Sequence, residues 1–497
     1  MIDLYSPSQI RNAEAVLIHE GIDEIQMMER AAAGLLQALP TCEGSIGILC
    51  GKGNNAGDGY ALAVQLADAG KTPILYSFSD KLTPAAEHYR DLCIQKQIPI
   101  RTELESAPFA DCAFFVDCLF GTGLRGDVQS PYREIITAAN ASGLPILSAD
   151  IPSGLSAISG LGDLCVQATT TVAIGGYKYG NILGRGRDVC GELSVWDIGL
   201  NPESDAALIE AADIQSLFLP RPHHCHKGTF GTVTLLGGCL PYSGAPKLAA
   251  VSAASLRSGC GIARLAVPSC LVNSVLPYIL ETTLSPLPHK DGFIQFDENA
   301  LGRAFSGASA AAIGMGMGQS SDNEAILQWA LANLSIPVVI DADGLNTLAG
   351  MDLSILSKTR CTVVLTPHPK EFSRLSGIPM NEILSDPIKY ARDFAASHQC
   401  IVLLKGTATV VSDGIDTLVV NRGSGGMATA GSGDVLSGVL ASLLARSSED
   451  LLLTVAAGAY ITGVAGEIAA ETVGSISMIA SDTVSALPAA IQSLFHS

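Results

Sequence analysis

The chain has 497 residues, 48% of them hydrophobic, 13 cysteines and a formal net charge of −19. Single cores stop growing at roughly 250–300 residues, so two or three domains are expected. The acidic balance argues against a nucleic-acid or anionic-membrane surface, and an odd number of scattered cysteines without a CxxC pair predicts a reduced, cytoplasmic protein.

The opening Met1-Ile2-Asp3-Leu4 lacks a basic region followed by an apolar stretch, so no leader or transit segment is expected. Short apolar, β-rich runs predict strands at 45–50, 73–78, 112–117, 145–150 and 171–174, with helical patterns such as 60–69 and 85–97 between them. Such alternation predicts a parallel sheet covered on both faces. A polar stretch with a proline at 201–205 and a Pro- and His-rich one at 219–227 place a boundary within 201–225, giving domains over 1–215 and 216–497. A second α/β pattern starts near Gly231, with strands at 232–236, 337–341, 361–366 and 400–404, a helix at 245–258 and a mostly helical C-terminal stretch. Residues 451–480 are the most apolar part of that stretch but carry Glu467 and Glu471, and they read as buried helix, with no membrane span. The halves share no obvious repeat.

The strand ending at Cys50 runs into Gly51-Lys52-Gly53-Asn54-Asn55-Ala56-Gly57-Asp58-Gly59 and then a helix. Glycines let backbone approach a ligand closely, and a helix N-terminus favours anions. The asparagines and the aspartate add hydrogen-bonding groups and oxygen ligands at one spot. A second loop, Asp117-Cys118-Leu119-Phe120-Gly121-Thr122-Gly123-Leu124-Arg125-Gly126-Asp127, follows another strand, and a third strand ends in Asp150-Ile151-Pro152-Ser153-Gly154-Leu155. Three polar, glycine-bearing loops thus gather at the carboxyl edge of a parallel sheet, where ligands bind.

These three segments resemble the signatures of the NAD(P)H-hydrate epimerase family. The resemblance implies a Rossmann-like three-layer sandwich that binds hydrated NADH or NADPH through Asn54, Asn55, Ala56, Gly57 and Asp58 and through the loop from Gly121 to Asp127. It also implies a K⁺ ion on Asn55, Asp117 and Ser153. Ala56 stands where the family has a third glycine, which adds a methyl group and removes no polar one. Asp150 is expected to be the general acid/base, because inverting a hydroxyl-bearing carbon needs a bond broken and re-formed from the other face. Lys178, in Gly176-Tyr177-Lys178-Tyr179-Gly180, matches a family lysine without its flanking prolines. Apart from the family, the bland alternative for Asp150 is a turn cap, and Lys178 reads equally as a solvated surface lysine.

In the second half, Asn421-Arg422-Gly423-Ser424-Gly425-Gly426-Met427-Ala428-Thr429-Ala430-Gly431-Ser432-Gly433-Asp434 runs into an apolar helix predicted at 435–445. Backbone N–H groups of Gly431 to Gly433 can converge at the helix N-terminus as an anion hole. Asp434 places a base beside it, able to take a proton from a hydroxyl that attacks a phosphate; the bland alternative is a helix cap. This segment resembles the ribokinase-like kinases. Tyr242-Ser243-Gly244-Ala245-Pro246, Gly314-Met315-Gly316-Met317-Gly318, Asp341-Ala342-Asp343-Gly344-Leu345-Asn346, Thr366-Pro367-His368-Pro369-Lys370-Glu371 and Leu404-Lys405-Gly406-Thr407-Ala408-Thr409 follow in order. Together they resemble the ADP- or ATP-dependent NAD(P)H-hydrate dehydratase family. Lys370 departs from its pattern by adding a charge beside His368.

By that resemblance Ala245, Gly316 and His368 contact the hydrated nucleotide. Lys405, Gly406, Thr407, Ala408, Thr409, Gly431 and Gly433 contact the phosphate donor, and Asp434 is catalytic. Mg²⁺ accompanies the donor, for which ADP is preferred over ATP, and a homo-oligomer such as a tetramer is implied. The His223-His224-Cys225-His226 run is not expected to bind metal, since adjacent residues of an extended segment point to opposite sides. The rival reading is a ribokinase-like kinase for a vitamin precursor with a non-catalytic nucleotide-binding front domain; it shares the anion hole but leaves the His368 motif unexplained.

Overall fold

The computed structural model describes residues 1–41, 43–103, 109–253, 255–446 and 449–495. Contacts divide the chain into two compact units, Asp3–Asp205 and a second made of Met1–Ile2 with Ala206–Ser497.

In the front unit seven parallel strands lie in the order Ile100–Arg101, Pro73–Ser77, Ser45–Cys50, Cys112–Cys118, Ile146–Ala149, Thr170–Ile174, Glu192–Trp196. Ile46, Ile48 and Cys50 pack on one face with Met28, Leu35 and Tyr60. Leu49 packs on the other with Tyr76, Phe115 and Ile135. Burial on both faces is why these strands read as unbroken apolar runs. The order turns at Ser45–Cys50, whose neighbours are the next strand in sequence on one side and Cys112–Cys118 on the other.

The helix expected at 60–69 spans Asn54–Asp68 and so takes in most of the glycine-rich segment. Gly53, at φ +85°, caps it. The small residues that read as loop are packing residues: a Cβ on Gly59 would stand 2.9 Å from Cys50 Sγ and 3.0 Å from Cys118 Cβ. The helix can therefore lie close on the sheet. Two amphipathic helices before the first core strand, Pro7–His19 and Glu24–Ala38, were not anticipated; each opens on a side-chain capping box, Ser6 with Gln9 and Asp23 with Gln26.

The back unit orders parallel strands Thr282–Leu287, Ile262–Pro268, Thr232–Leu236, Ala310–Ile313, Val338–Ile340, Val363–Leu365 and Ile401–Leu404, then antiparallel Thr409–Ser412 and Thr417–Val420. Val233, Leu265, Ala312, Val364 and Leu403 share one core with Val435, Val439 and Leu440 of the Ser432–Leu444 helix. The helix expected at 245–258 runs over Gly244–Ala253 and Ser255–Ser258, with Ala254 outside the described residues.

Leu451–Val473 is long and apolar enough to cross a membrane, but 72% of its apolar window is buried inside the unit. Its glycines are sockets. A Cβ would meet Leu440 Cδ2 at 2.5 Å from Gly458, Arg422 Cβ at 2.7 Å from Gly463 and Met427 Sδ at 2.2 Å from Gly466.

The two loops at the turn of strand order in the front unit approach each other closely. Gly51 N donates to Cys118 O at 3.3 Å, and a Cβ on Gly51 would lie 2.0 Å from Leu119 O. Gly51→Ala is expected to push these loops apart and to lower stability by about 1–3 kcal/mol in urea denaturation.

Candidate active sites

In the front unit the segments after Cys50 and Cys118 border a cavity of ≈ 820 Å³. Asn54, Asn55, Asp58, Gly121, Thr122, Gly123, Leu124, Arg125, Asp127, Asp150 and Lys178 all line it. Ala56 and Gly57 do not: Ala56 is fully buried, and a Cβ on Gly57 would meet Met28 at 2.5 Å. Gly126, at φ +73°, turns its loop without joining the lining.

Asp150 leaves its strand at φ +68°, a left-handed conformation that costs about 1–3 kcal/mol and persists only where surroundings enforce it. Its backbone is held by Asp150 N to Val172 O (2.8 Å). Its carboxylate accepts from Ile174 N (3.1 Å) and from the Lys178 ammonium. Lys178 is fully buried, not a surface residue as its composition alone suggests. Its Nζ also donates to Ile174 O (2.6 Å), and its backbone pairs with Tyr5.

Glu14 of the Pro7–His19 helix lines the same cavity. Burial pushes the Asp58 carboxyl well above its ordinary range, reinforced by Asp150 and Glu14 and opposed by Lys178. Burial and then Asp150 raise Glu14 in the same direction. The cavity thus gathers one buried ammonium, Lys178, and the three carboxyl groups of Asp150, Asp58 and Glu14. The exposed lining residues Arg11, Lys52 and Arg125 make no ion pair among the described residues and give the cavity a cationic rim.

Asp117 and Ser153 lie beneath the cavity, both buried. Asp117 accepts from Leu119 N (3.2 Å), Ser148 Oγ (2.9 Å), Ser153 N (2.8 Å) and Ser153 Oγ (2.6 Å). Burial still leaves its carboxyl raised, against these hydrogen bonds. Ser153 Oγ also accepts from Phe120 N at 2.8 Å. Asn55 Nδ2 is buried without a hydrogen-bond partner.

In the back unit the Ser432–Leu444 helix starts at Gly431, φ +95°. The helix begins three residues before the position predicted, so Ser432 and Gly433 form its first turn with Asp434. Ser432 Oγ is buried there without a partner. A Cβ on Gly433 would stand 3.4 Å from Asp341 Oδ2 and 3.5 Å from Lys405 Nζ. Lys405 Nζ donates to Asp341 Oδ1 (3.1 Å) and lies 3.9 Å from Glu371 Oε2. Burial pushes the Asp434 carboxyl up to about 7, with Asp341 adding to the rise, Lys405 opposing it and Asp343 contributing least.

His368 caps the Pro369–Ser376 helix, its Nδ1 accepting from Lys370 N (3.1 Å) and Glu371 N (3.2 Å). Its Nε2 is 3.5 Å from Glu371 Oε1, and burial, the largest effect, lowers its pKa. Gly316 stands at φ +63°, where a Cβ would touch Ala245 Cβ and Tyr242 O, both at 2.8 Å. Leu248, one turn beyond Ala245, lies under Gly431. Gly406 and Thr407 are exposed in the turn between strands, Ala408 is buried, and Thr409 opens the next strand.

The helix of Glu14 and the buried partners Asp341, Glu371 and Ser437 had no assigned role from sequence. Asp341 and Glu371 lie inside quoted motifs, so spacing could have found them. Glu14 sits on an amphipathic helix and looks there like any solvated acid.

Residues 24–180 match the family model of the YjeF-related protein N-terminus, and residues 233–489 match that of NAD(P)H-hydrate dehydratase. A bifunctional NAD(P)H-hydrate repair enzyme of Coxiella burnetii is 32% identical, the alignment covering 97% of this chain and 98% of the relative. An ADP/ATP-dependent NAD(P)H-hydrate dehydratase from Bacillus subtilis, co-crystallized with ATP/Mg2+, is 27% identical with a TM-score of 0.50, covering 58% of this chain and 98% of its own. A ribokinase-like superfamily protein from Enterococcus faecalis shares the fold of the back unit, with a TM-score of 0.51 at 22% identity over 59% of this chain and 98% of its own. With nearly full-length similarity to one relative and both halves matched, the chain belongs to the family of bifunctional NAD(P)H-hydrate repair enzymes.

Proposed function

We propose that the front domain, residues 1–215, interconverts the R and S hydrates of NADH and NADPH. The back domain, residues 216–497, then dehydrates the S form at the expense of ADP or ATP, releasing AMP or ADP and phosphate. Together the two would drain both epimers of the damaged cofactor. The observation that carries this reading is the place of Asp434 in the first turn of the Ser432–Leu444 helix, next to Gly433, where a Cβ would lie 3.5 Å from Lys405 Nζ.

The substrate hydroxyl attacks the donor's terminal phosphorus while Asp434 takes its proton. One P–O bond forms and the bond to the departing nucleotide breaks. The ring nitrogen's lone pair then expels phosphate, a far better leaving group than hydroxide, and loss of a proton from the neighbouring ring carbon restores the dihydronicotinamide. The hole at Gly431 to Gly433 and Lys405 receive the migrating charge. Mg²⁺ bound with the donor would neutralise charge on its phosphates.

In the front domain Asp150 moves the proton and Lys178 holds it in place, while Arg11, Lys52 and Arg125 meet the dinucleotide's phosphates. The residues fit the K⁺ that the family implies: Asp117, Ser153 and Asn55 are buried, and turning the Asn55 amide over would set an oxygen where its unpartnered nitrogen lies. Bound there, the ion would supply positive charge beneath the substrate loop. A vitamin-precursor kinase is not favoured, since the family match extends over the front half as well.

The test uses hydrated NADH epimers with Mg²⁺ and ADP or ATP, following absorbance of the recovered dihydronicotinamide. Asp434→Asn should lower dehydration about 10²–10⁴-fold and leave epimerisation intact, and Asp150→Ala should do the reverse. Phosphorylated product that persists without phosphate release would instead make the back domain a plain kinase.

The pH dependence has a definite sign. Asp434 must be ionised to act, so the dehydration rate should rise through pH 7 and fall about tenfold per unit below it. A rate flat from pH 6 to 8 would exclude Asp434 as the base.

The front pair should show in stability. Asp150→Asn leaves a buried ammonium uncompensated and should cost about 3 kcal/mol in urea denaturation. Lys178→Met leaves a carboxylate that reaches the cavity and should cost less.

A further inference from the structure

We infer that Asp341 is the positioning residue of the back-unit centre, its carboxylate binding the catalytic helix and the phosphate-facing lysine into one rigid unit. This rests on the phosphoryl-transfer reading above and adds a residue to which that reading assigns no task.

Asp341 follows the central Val338–Ile340 strand and is 2% exposed. A carboxylate so buried persists as an anion only when paired and hydrogen-bonded. Its two oxygens divide their partners. Oδ2 accepts from Ser437 Oγ at 2.7 Å, and Oδ1 accepts from Lys405 Nζ at 3.1 Å. Ser437 stands three residues beyond Asp434 on the same helix, hence on the same face. Lys405 closes the Ile401–Leu404 strand and is anchored through its own N–H to Pro367 O at 2.9 Å. One carboxylate therefore bonds directly to both segments that must act on the same phosphoryl group.

The backbone is shaped to allow this. Ala342, the next residue, is held at φ +48°, rare for a residue with a side chain. Gly314 lies so close that a Cβ there would stand 1.9 Å from Asp341 O. Gly433 has no side chain to come between the hole and the Asp341–Lys405 pair. The charged groups acting on Asp434 are Asp341, Lys405 and Asp343, and Lys405 faces Glu371, whose other oxygen faces His368. Among them Asp341 is the negative neighbour with the largest effect, so removing it should make Asp434 a weaker base as well as a looser one.

Asp341→Asn in the full-length chain tests this, with hydrated NADH and Mg²⁺-ADP. A misplacement of the order of 1 Å is worth about 10²-fold. The expected result is a kcat lower by about that factor with both KM values changed less than about threefold. The acid limb of the kcat profile should also move to lower pH. Ser437→Ala cuts only the helix arm and should lower kcat by a smaller factor, again without a change in KM. The double variant should be no worse than Asp341→Asn alone, the non-additivity expected of one shared link. Should Asp341→Asn fail to fold, Ser437→Ala decides alone. An unchanged kcat in Ser437→Ala, an unmoved acid limb in folded Asp341→Asn, or a loss confined to the donor's KM would overturn the assignment. A wild-type chain that recovers no dihydronicotinamide would instead remove the phosphoryl-transfer reading itself.

Discussion

A parallel strand buried on both faces has no room for an unpaired polar group along its length. Its chemistry is displaced to the carboxyl end, where the chain turns and helix N-termini point. Both units obey this constraint. Asp117, Asp150, Asp341 and Lys405 all stand at or just beyond the ends of core strands. Two of those exits are bent through the left-handed region, at Asp150 itself and at Ala342.

Each site then sets one lysine, Lys178 or Lys405, in direct contact with a carboxylate among several carboxyl groups, and the balance differs. Opposite charges about 4 Å apart attract by about 4 kcal/mol at an effective dielectric constant of 20. That attraction competes with desolvation and with like charges. At Asp434 the outcome is a carboxyl at about 7, so burial and Asp341 together outweigh Lys405. In the front unit Asp58 and Glu14 are raised by burial and by their neighbours, while Lys178 acts against the rise. The back site keeps a base that titrates near neutrality. The front site raises two carboxyl groups, Asp58 and Glu14, in the same direction.

The strands expected from sequence and the ligand edge were legible because apolar runs of strand length, bounded by glycine and polar residues, have few other solutions, while the parallel strands Glu192–Trp196, Ile262–Pro268, Thr282–Leu287 and Ala310–Ile313 went unread. The named carboxylates were legible from motif order. What escaped was set by contacts distant in sequence. Lys178 looks solvated beside two tyrosines, yet Asp150 and Ile174, 28 and 4 residues earlier, bury it. Glycines at 57 and 59 suggest loop until the sheet beneath them is known, when they become the helix's contact face. The antiparallel strands after Lys405 were also unread, being short and lying between turns.

The glycines of the Leu451–Val473 helix bear on how this protein can be altered. Replacing helical glycine by alanine ordinarily gains about 0.5–1 kcal/mol through a stiffer unfolded chain. Here Gly463 and Gly466 receive Arg422 and Met427, which belong to the segment leading into Gly431. An added methyl would lift that segment off its bed and carry the helix N-terminus with it. Thermostabilising this enzyme by the usual helix-strengthening substitutions would thus act on the segment that leads into the Ser432–Leu444 helix.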